Sequence, residues 1–309
     1  MQQSLADNKK PMKEKQLKKR RKKGMITPRT VPYILLGPTL ILFILFYVYP
    51  IISSFLLSFQ TRINGEYVFA GLSNYTRMLQ DPLFYKALGN SSIILLIQVP
   101  IMLSLAVLLA VALNSSFLKF KGLFRIGFFT PVLTSLVAAS VIFLLILNKD
   151  YGLLNYLLSL VGIQPIGWLS DGYWPLVTLI IVTTWRWTGY NMVIILAGLQ
   201  NIPNELYEAA SIDGASKIKQ FFYITIPQLK PVLLVTFIMS TIGSFQLFDE
   251  PFTMTHGGPN NRTLTITLYL YQHGFKYFDF GYASAITYAL VFIIAVLSLI
   301  QFKLAGEKD

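Results

Sequence analysis

The sequence predicts an all-α, polytopic membrane bundle of about six transmembrane helices. Two observations carry that expectation. Of the 309 residues, 54% are hydrophobic and only 13% are charged, against roughly 25% charged in an ordinary soluble domain, so these residues cannot furnish a polar shell. The charges also leave long gaps: none falls between Arg29 and Arg62, Lys86 and Lys119, Arg125 and Lys149, Lys230 and Asp249, or Asp279 and Lys303, and the stretch from Asp171 to Glu205 holds only Arg186. A hydrocarbon layer about 30 Å thick takes about 20 apolar helical residues. Each gap therefore holds one span, near 32–57, 91–114, 124–147, 173–198, 231–249 and 281–303.

Residues 1–30 read as a basic cytoplasmic N-terminal tail. Lys9, Lys10, Lys13, Lys15, Lys18, Lys19, Arg20, Arg21, Lys22, Lys23 and Arg29 stand there against Asp7 and Glu14. Beside a span, such a cluster sets topology and attracts anionic lipid, a plainer role than a nucleic-acid patch. The apolar run that follows exceeds the roughly 7–15 residues of a signal-peptide core and no A-x-A site follows it, so it reads as a retained first helix. Residues 31–309 then form the transmembrane domain. The uncharged interval Tyr151–Ser170 is not counted as a span: its apolar run, Leu153 to Ile163, is short, and Gly162, Gln164, Pro165 and Gly167 interrupt it. With six spans and both ends inside, 19 basic residues face the cytoplasm and six face outward, as the positive-inside rule requires. A seventh span would move Lys217, Lys219 and Lys230 outward.

The composition also excludes chemistry. There is no cysteine, and the two histidines, His256 and His273, both lie outside the spans, so a thiolate nucleophile, a disulfide or a Cys-based zinc site is ruled out. No G-x-x-x-x-G-K-[ST] phosphate loop occurs, so nothing in this chain is expected to hydrolyse ATP.

The loop 199–230, between spans four and five, is the most informative stretch. Pro203 suits a first helical turn, and Glu205 and Glu208 suit the positive end of its dipole. Ala209 and Ala210 are small helix formers that allow close approach. Gly214 can take the positive φ that ends a helix. A second helical piece over about 215–224 is expected to end at Pro227. A short helix, a turn and another short helix with a small-residue face suit docking to a partner better than catalysis.

Glu208-Ala209-Ala210, Gly214 and Ile224-Thr225-Ile226-Pro227 resemble the "EAA" motif of binding-protein-dependent ABC importer permeases, with Ile226 in place of the usual Leu. The likeness runs from the first span to Phe302 and is strongest to the maltose/glycerol-phosphate class of sugar permeases, through Gly243–Glu250, Thr255–Pro259 and Phe278–Ala285. It implies a type I ABC importer-like fold and an ATPase-coupling role for Glu208, Ala209, Ala210, Gly214, Ile224 and Pro227. It also implies a second, homologous permease subunit, two ATPase subunits and an external solute-binding protein. No cofactor would be bound by this chain; ATP and Mg would be used by the partner ATPase, and the chain would lie in a bacterial inner membrane.

Polar groups within spans usually face a bundle interior or a water-filled path. In span four, Trp187 and Asn191 share a helix face, as do Arg186 and Tyr190. Span five offers Ser240, Ser244, Phe245, Gln246 and Asp249, and span six begins with Tyr282, Ser284 and Tyr288. Aromatic faces suit the C–H side of a sugar ring, and amides or carboxylates suit its hydroxyls. Trp187, Tyr190, Asn191, Phe245, Gln246, Asp249 and Tyr282 are thus candidates for a substrate path, with interfacial anchoring as the alternative role. Arg186 can equally pair structurally, with Asp249 as a candidate, and His256 reads as part of a tight outer turn. The alternation over 263–271 has strand periodicity, whereas the family resemblance suggests a helix. Other classes fit less well. A gradient-driven secondary transporter would want broken helices or ionisable groups within spans, and the docking loop would have no purpose; an intramembrane enzyme would need catalytic groups that are absent.

Overall fold

Proline and the helix ladder set the character of this fold, a computed structural model that describes residues 31–305 except residue 116. The basic tail at 1–30 lies outside the described residues. The chain divides after Ser54 into two compact units. In the first, helix α1 (Val31–Phe43) passes through a π-helical turn, Ile44–Val48, into α2 (Tyr49–Leu57). The Tyr49 N–H bonds the Ile44 carbonyl five residues back. This steps the ladder by one residue just before Pro50, which has no N–H to place. Tyr33, Leu35, Phe46 and Tyr47 project outward as an exposed apolar surface.

The second unit opens with a two-stranded antiparallel hairpin, β1 (Gln60–Ile63) and β2 (Glu66–Phe69), Gln60 opposite Phe69. Asn64 and Gly65 both have positive φ, as a two-residue hairpin turn of the Asn-Gly type demands. Next, α3 (Ser73–Gln80) anchors through Asn74, which is buried and donates to the Ser58 and Gln60 carbonyls at 2.9 and 2.8 Å.

Helix α4 (Pro82–Asn114) is the central strut. The Asp81 carboxylate caps it by accepting from the Leu83 N–H at 2.9 Å, and Pro82 occupies a first-turn position where no donor is missed. It begins nine residues before the expected span. Phe84, Ala87 and Asn90 are buried against protein there, and the Asn90 amide donates to the Asn261 and Leu264 carbonyls at 2.8 and 2.9 Å.

The third span is broken. α5 (Lys121–Leu133) and α6 (Leu136–Ile146) meet at an angle of 97° across Thr134 and Ser135. The interval 151–170, not counted as a span, holds the seven-residue helix α7 (Leu153–Ser159), with Asn155 tying it to the Ile166 carbonyl and the Trp168 indole. α8 (Trp174–Gln200) packs along α4 and α5. Lipid is as apolar as leucine, so close packing must supply the attraction. Accordingly Ala106 and Ala110 of α4 meet Met192 and Ile195 of α8, and Gly189 of α8 lies so near α5 that a Cβ on it would sit 1.7 Å from the Phe128 carbonyl oxygen.

After α8 come α9 (Asn204–Ile212), α10 (Lys217–Gln220), a π turn at Phe221–Thr225 and α11 (Ile226–Phe245). The expected stop at Pro227 is corrected. The Ile226 N–H reaches back to Phe221, so the chain steps through the π turn, and Pro227 then falls in the first turn of α11. The fifth apolar helix consequently runs from Lys217 to Phe245. Within the segment 263–271, Ile266–Tyr271 is helical: Thr265, itself extended, caps α12 (Ile266–Tyr271) through the Leu268 N–H. A π turn, Gln272–Lys276, leads on to α13 (Phe280–Ala305). The described residues thus contain five helices long and apolar enough to cross a membrane, and six if the bent pair is one span.

Candidate functional site

The segment α9–α10 is a clasped helical hairpin. The Asp213 and Ala215 N–H groups bond the Ala209 and Ala210 carbonyls, at 3.0 and 2.8 Å, which closes α9. Gly214 follows at φ 74°, in the left-handed region, with open space around it. Across the turn the Gln220 side-chain amide donates to the Ser211 hydroxyl at 2.8 Å, and the Tyr207 and Thr225 hydroxyls share a bond of 3.0 Å. These bonds fix α9 against the start of the long fifth helix. Glu208 and Ala209 are exposed; Ala210 and Ile224, with Tyr223 and Gln220, border a cleft of about 370 Å³. Pro227 is exposed on the first turn of α11. Ile212, Phe222 and Tyr223 project from the hairpin as exposed apolar side chains.

At the level of the spans, a cavity of about 310 Å³ lies between α4, α8 and α11, the size at which small-molecule sites begin. Trp187, Tyr190 and Asn191 line it, as do Ser240 and Ser244. The Trp187 and Tyr190 rings meet edge to face at 5.8 Å. The Asn191 amide donates to the Trp187 carbonyl at 3.0 Å, which leaves its own carbonyl oxygen as an acceptor. Gln98 and Met102 of α4 complete the wall, Gln98 donating to the Met102 sulfur at 3.3 Å. Sequence reasoning passed over Gln98, although a lone amide inside the apolar run 91–114 was the available signal.

The other candidates lie elsewhere. Phe245 is buried under α12, its carbonyl accepting from Thr267 at 2.7 Å; Gln246 is exposed and Asp249 half-buried, neither on the cavity wall. Tyr282 is fully buried in a polar cluster at the end of the bundle opposite α9. There Asp81 Oδ2 accepts from the Tyr282 hydroxyl at 2.6 Å and from the Tyr269 hydroxyl, while Arg77 lies over the Tyr282 ring at 4.0 Å and pairs with Asp279 at 2.7 Å. Burial pushes the Asp81 carboxyl up, but the two tyrosine hydroxyls and the Leu83 and Phe84 N–H groups outweigh it and hold it below its ordinary value. Burial, reinforced by the Arg77 charge, pushes His273 in the same cluster down. His256 takes φ 50° in a turn with Gly257 at φ 83°. Tyr288 meets Phe55 edge to face at 5.1 Å.

Arg186 is buried within α8 and its partner is not Asp249; the ion pairs among the described residues are Arg77–Asp279 and Lys149–Asp171. Its guanidinium instead donates to the Thr134 carbonyl at 2.7 Å, with the Val132 carbonyl and Thr134 hydroxyl at 3.5 Å. It thereby satisfies the exposed carbonyl end of α5 at the break, where the helix dipole also favours a cation.

A family model described as the binding-protein-dependent transport system inner membrane component matches residues 23–305. The lactose transport system permease protein LacF of Rhizobium radiobacter is 45% identical over 281 residues, covering 89% of this chain and 94% of that protein. The arabinooligosaccharides transport system permease protein AraP of Bacillus subtilis (strain 168) is 42% identical, covering 90% of each. The sulfoquinovosyl glycerol transport system permease protein SmoG of Agrobacterium fabrum (strain C58 / ATCC 33970) is 35% identical, covering 91% and 92%. In three dimensions the chain is similar to one from a bacterial alginate ABC transporter in complex with an alginate pentasaccharide-bound periplasmic protein. The TM-score is 0.79 at 21% identity, covering 90% of this chain and 95% of that one, a likeness of fold.

Proposed function

This chain belongs to the inner membrane components of binding-protein-dependent transport systems, and we propose that it is the permease subunit through which an ATP-driven importer passes a sugar or oligosaccharide. The observation that carries the substrate class is the cavity between α4, α8 and α11, where the Trp187 and Tyr190 rings stand beside the Asn191 and Gln98 amides. Ring faces hold the C–H surface of a pyranose, and amides exchange hydrogen bonds with its hydroxyls. The names of LacF, AraP and SmoG, three carbohydrate or carbohydrate-derivative permeases, support the same class.

ATP hydrolysis occurs on a separate ATPase chain, which binds the ATP and Mg; this chain binds no cofactor. The clasped α9–α10 hairpin seats on that ATPase, with Glu208, Ala209, Ala210 and Gly214 at the contact and Ile224 and Pro227 passing the motion into α11. The assembly comprises a second homologous permease subunit, two ATPase subunits and an external solute-binding protein that delivers the sugar. The chain sits in the bacterial inner membrane with both termini cytoplasmic. Uptake of labelled lactose and arabinooligosaccharides into proteoliposomes holding the whole assembly tests this reading. ATP inside and loaded binding protein outside should both be required, and an ionophore should have no effect. Uptake that needs no ATP and collapses with the ion gradient overturns it in favour of a secondary transporter.

A further inference from the structure

A cation and a carboxylate lie buried near the broken span without pairing. Arg186 and Glu250 are 4% and 3% exposed. The Glu250 Oε1 has no hydrogen-bond partner, and neither does the Arg186 Nε. Met254, four residues after Glu250, lies in one apolar cluster with Val182, four residues before Arg186, so the segments that carry the two groups pack together. An uncompensated buried charge is costly, and buried polar atoms without partners are rare enough to call for an explanation.

The surrounding elements supply one. Glu250 immediately precedes a π turn, Pro251–Thr255, that packs against α6. Met254 of that turn sits in one apolar cluster with Leu147, just after α6, and with Leu179 and Val182 of α8. Thr134, which Arg186 grips at 2.7 Å, is the hinge between α5 and α6. The α5–α6 angle therefore bears directly on the Arg186–Thr134 contact, and the turn that follows Glu250 packs on α6.

We propose that Arg186 is a positioning residue with two alternative partners: in this conformation it holds the third span bent through the Thr134 carbonyl, and when the break opens it exchanges that carbonyl for the Glu250 carboxylate. The two contacts bias two states of one element, which is what a conformational switch requires. Arg186 is followed directly by Trp187 of the cavity wall, so the exchange ties the shape of the break to the helix that meets the sugar. The tie to sugar rests on the importer reading above; the exchange itself does not.

The chain has no cysteine, so Ile126→Cys on α5 and Leu145→Cys on α6, both exposed, take spin labels without background from this subunit. Distances across the break are measured in the full reconstituted assembly, nucleotide-free and after vanadate trapping. Wild type should show two distance populations whose ratio changes on trapping. Glu250→Gln, which keeps shape and removes charge, should move that ratio toward the bent state by about tenfold, the usual scale of a coupling between sites. Arg186→Lys, which keeps charge but not the planar fork, should broaden the bent population. One distance throughout in wild type, or a Glu250→Gln ratio equal to wild type, overturns the exchange. Binding-protein stimulation of ATPase activity in the same samples reads the importer account separately. Were stimulation absent, the exchange would still be decided by whether Glu250→Gln removes the minor population of the nucleotide-free sample.

Discussion

Replacing Gly189 with alanine should separate α5 from α8, because the new methyl has no room. Its Cβ would stand 1.7 Å from the Phe128 carbonyl oxygen and 2.5 Å from the carbonyl carbon. Both atoms are backbone, so no side-chain rotation relieves the overlap. Contacts of this kind below 3.0 Å essentially never occur, so α5 must retreat by more than 1 Å locally. That movement lengthens the nearby Arg186–Thr134 bond of 2.7 Å beyond hydrogen-bonding range. Overpacking of a close-packed core costs about 1–3 kcal/mol, and the lost contact places this case near 3. At about 2–4 °C per kcal/mol for a domain of a few hundred residues, the detergent-solubilised protein should lose about 6–12 °C in Tm. Gly127→Ala is the control: it lies on the same α5, and its Cβ would meet nothing within 4 Å. Melting curves followed by size-exclusion of the fluorescently tagged chain compare the two. A Gly189→Ala protein within 2 °C of Gly127→Ala would refute the close-approach argument.

Three further outcomes follow from the same geometry. Trp187→Ala should raise the sugar concentration for half-maximal uptake by about three- to tenfold, the worth of one aromatic contact beyond its area, while Trp187→Phe keeps most of the affinity; equal transport by both variants contradicts a substrate-facing ring. His273 has a folded-state pKa below its ordinary value of 6.5 because of burial and the Arg77 charge, so its contribution to stability is present above about pH 6.5 and is lost as the pH falls through the folded value. Tm should therefore drop as the pH is lowered from 7 to 5, and His273→Gln should flatten that drop. Asp171→Asn should leave Tm unchanged, because the Lys149–Asp171 pair is solvent-exposed at both partners and such pairs contribute little; a clear loss in melting curves would show that the pair is structural.

The membrane spans were legible in the sequence because a charge-free interval of the right length has few alternatives. The Gly214 turn was legible because the left-handed φ there selects glycine. Where a helix boundary was set by packing rather than hydropathy, the sequence misled. α4 starts at Pro82 because buried Asn90 finds two carbonyls far along the chain, and no local pattern reports that. Pro227 read as a stop, yet a π turn just upstream absorbs its missing donor. The small hairpin was announced only by Asn64-Gly65, a signal overlooked among the apolar runs. The strand-like threonine alternation at 263–267 arises because Thr263, Thr265 and Thr267 each donate to a different backbone carbonyl, of Gly258, Leu247 and Phe245, and not because they share a solvent face. In the cavity, Trp187, Tyr190 and Asn191 follow from helical spacing on one span. Gln98 joins them only through the packing of α4 on α8, which spacing within one helix does not encode. Arg186 was visible as an anomaly, but its partner is a main-chain carbonyl at a helix break, and carbonyls carry no sequence signature.

The most direct test of the account is ATPase activity in proteoliposomes holding this chain, its partner permease and the ATPase, with and without sugar-loaded binding protein, for wild type and Gly214→Val. Valine is poorly tolerated at φ 74°, so it should distort the turn between α9 and α10 while leaving the spans intact. Wild type should be strongly stimulated and Gly214→Val should not, with the assembly still co-purifying. Equal stimulation in both, or none in wild type, would contradict the claim that this hairpin joins the permease to ATP hydrolysis.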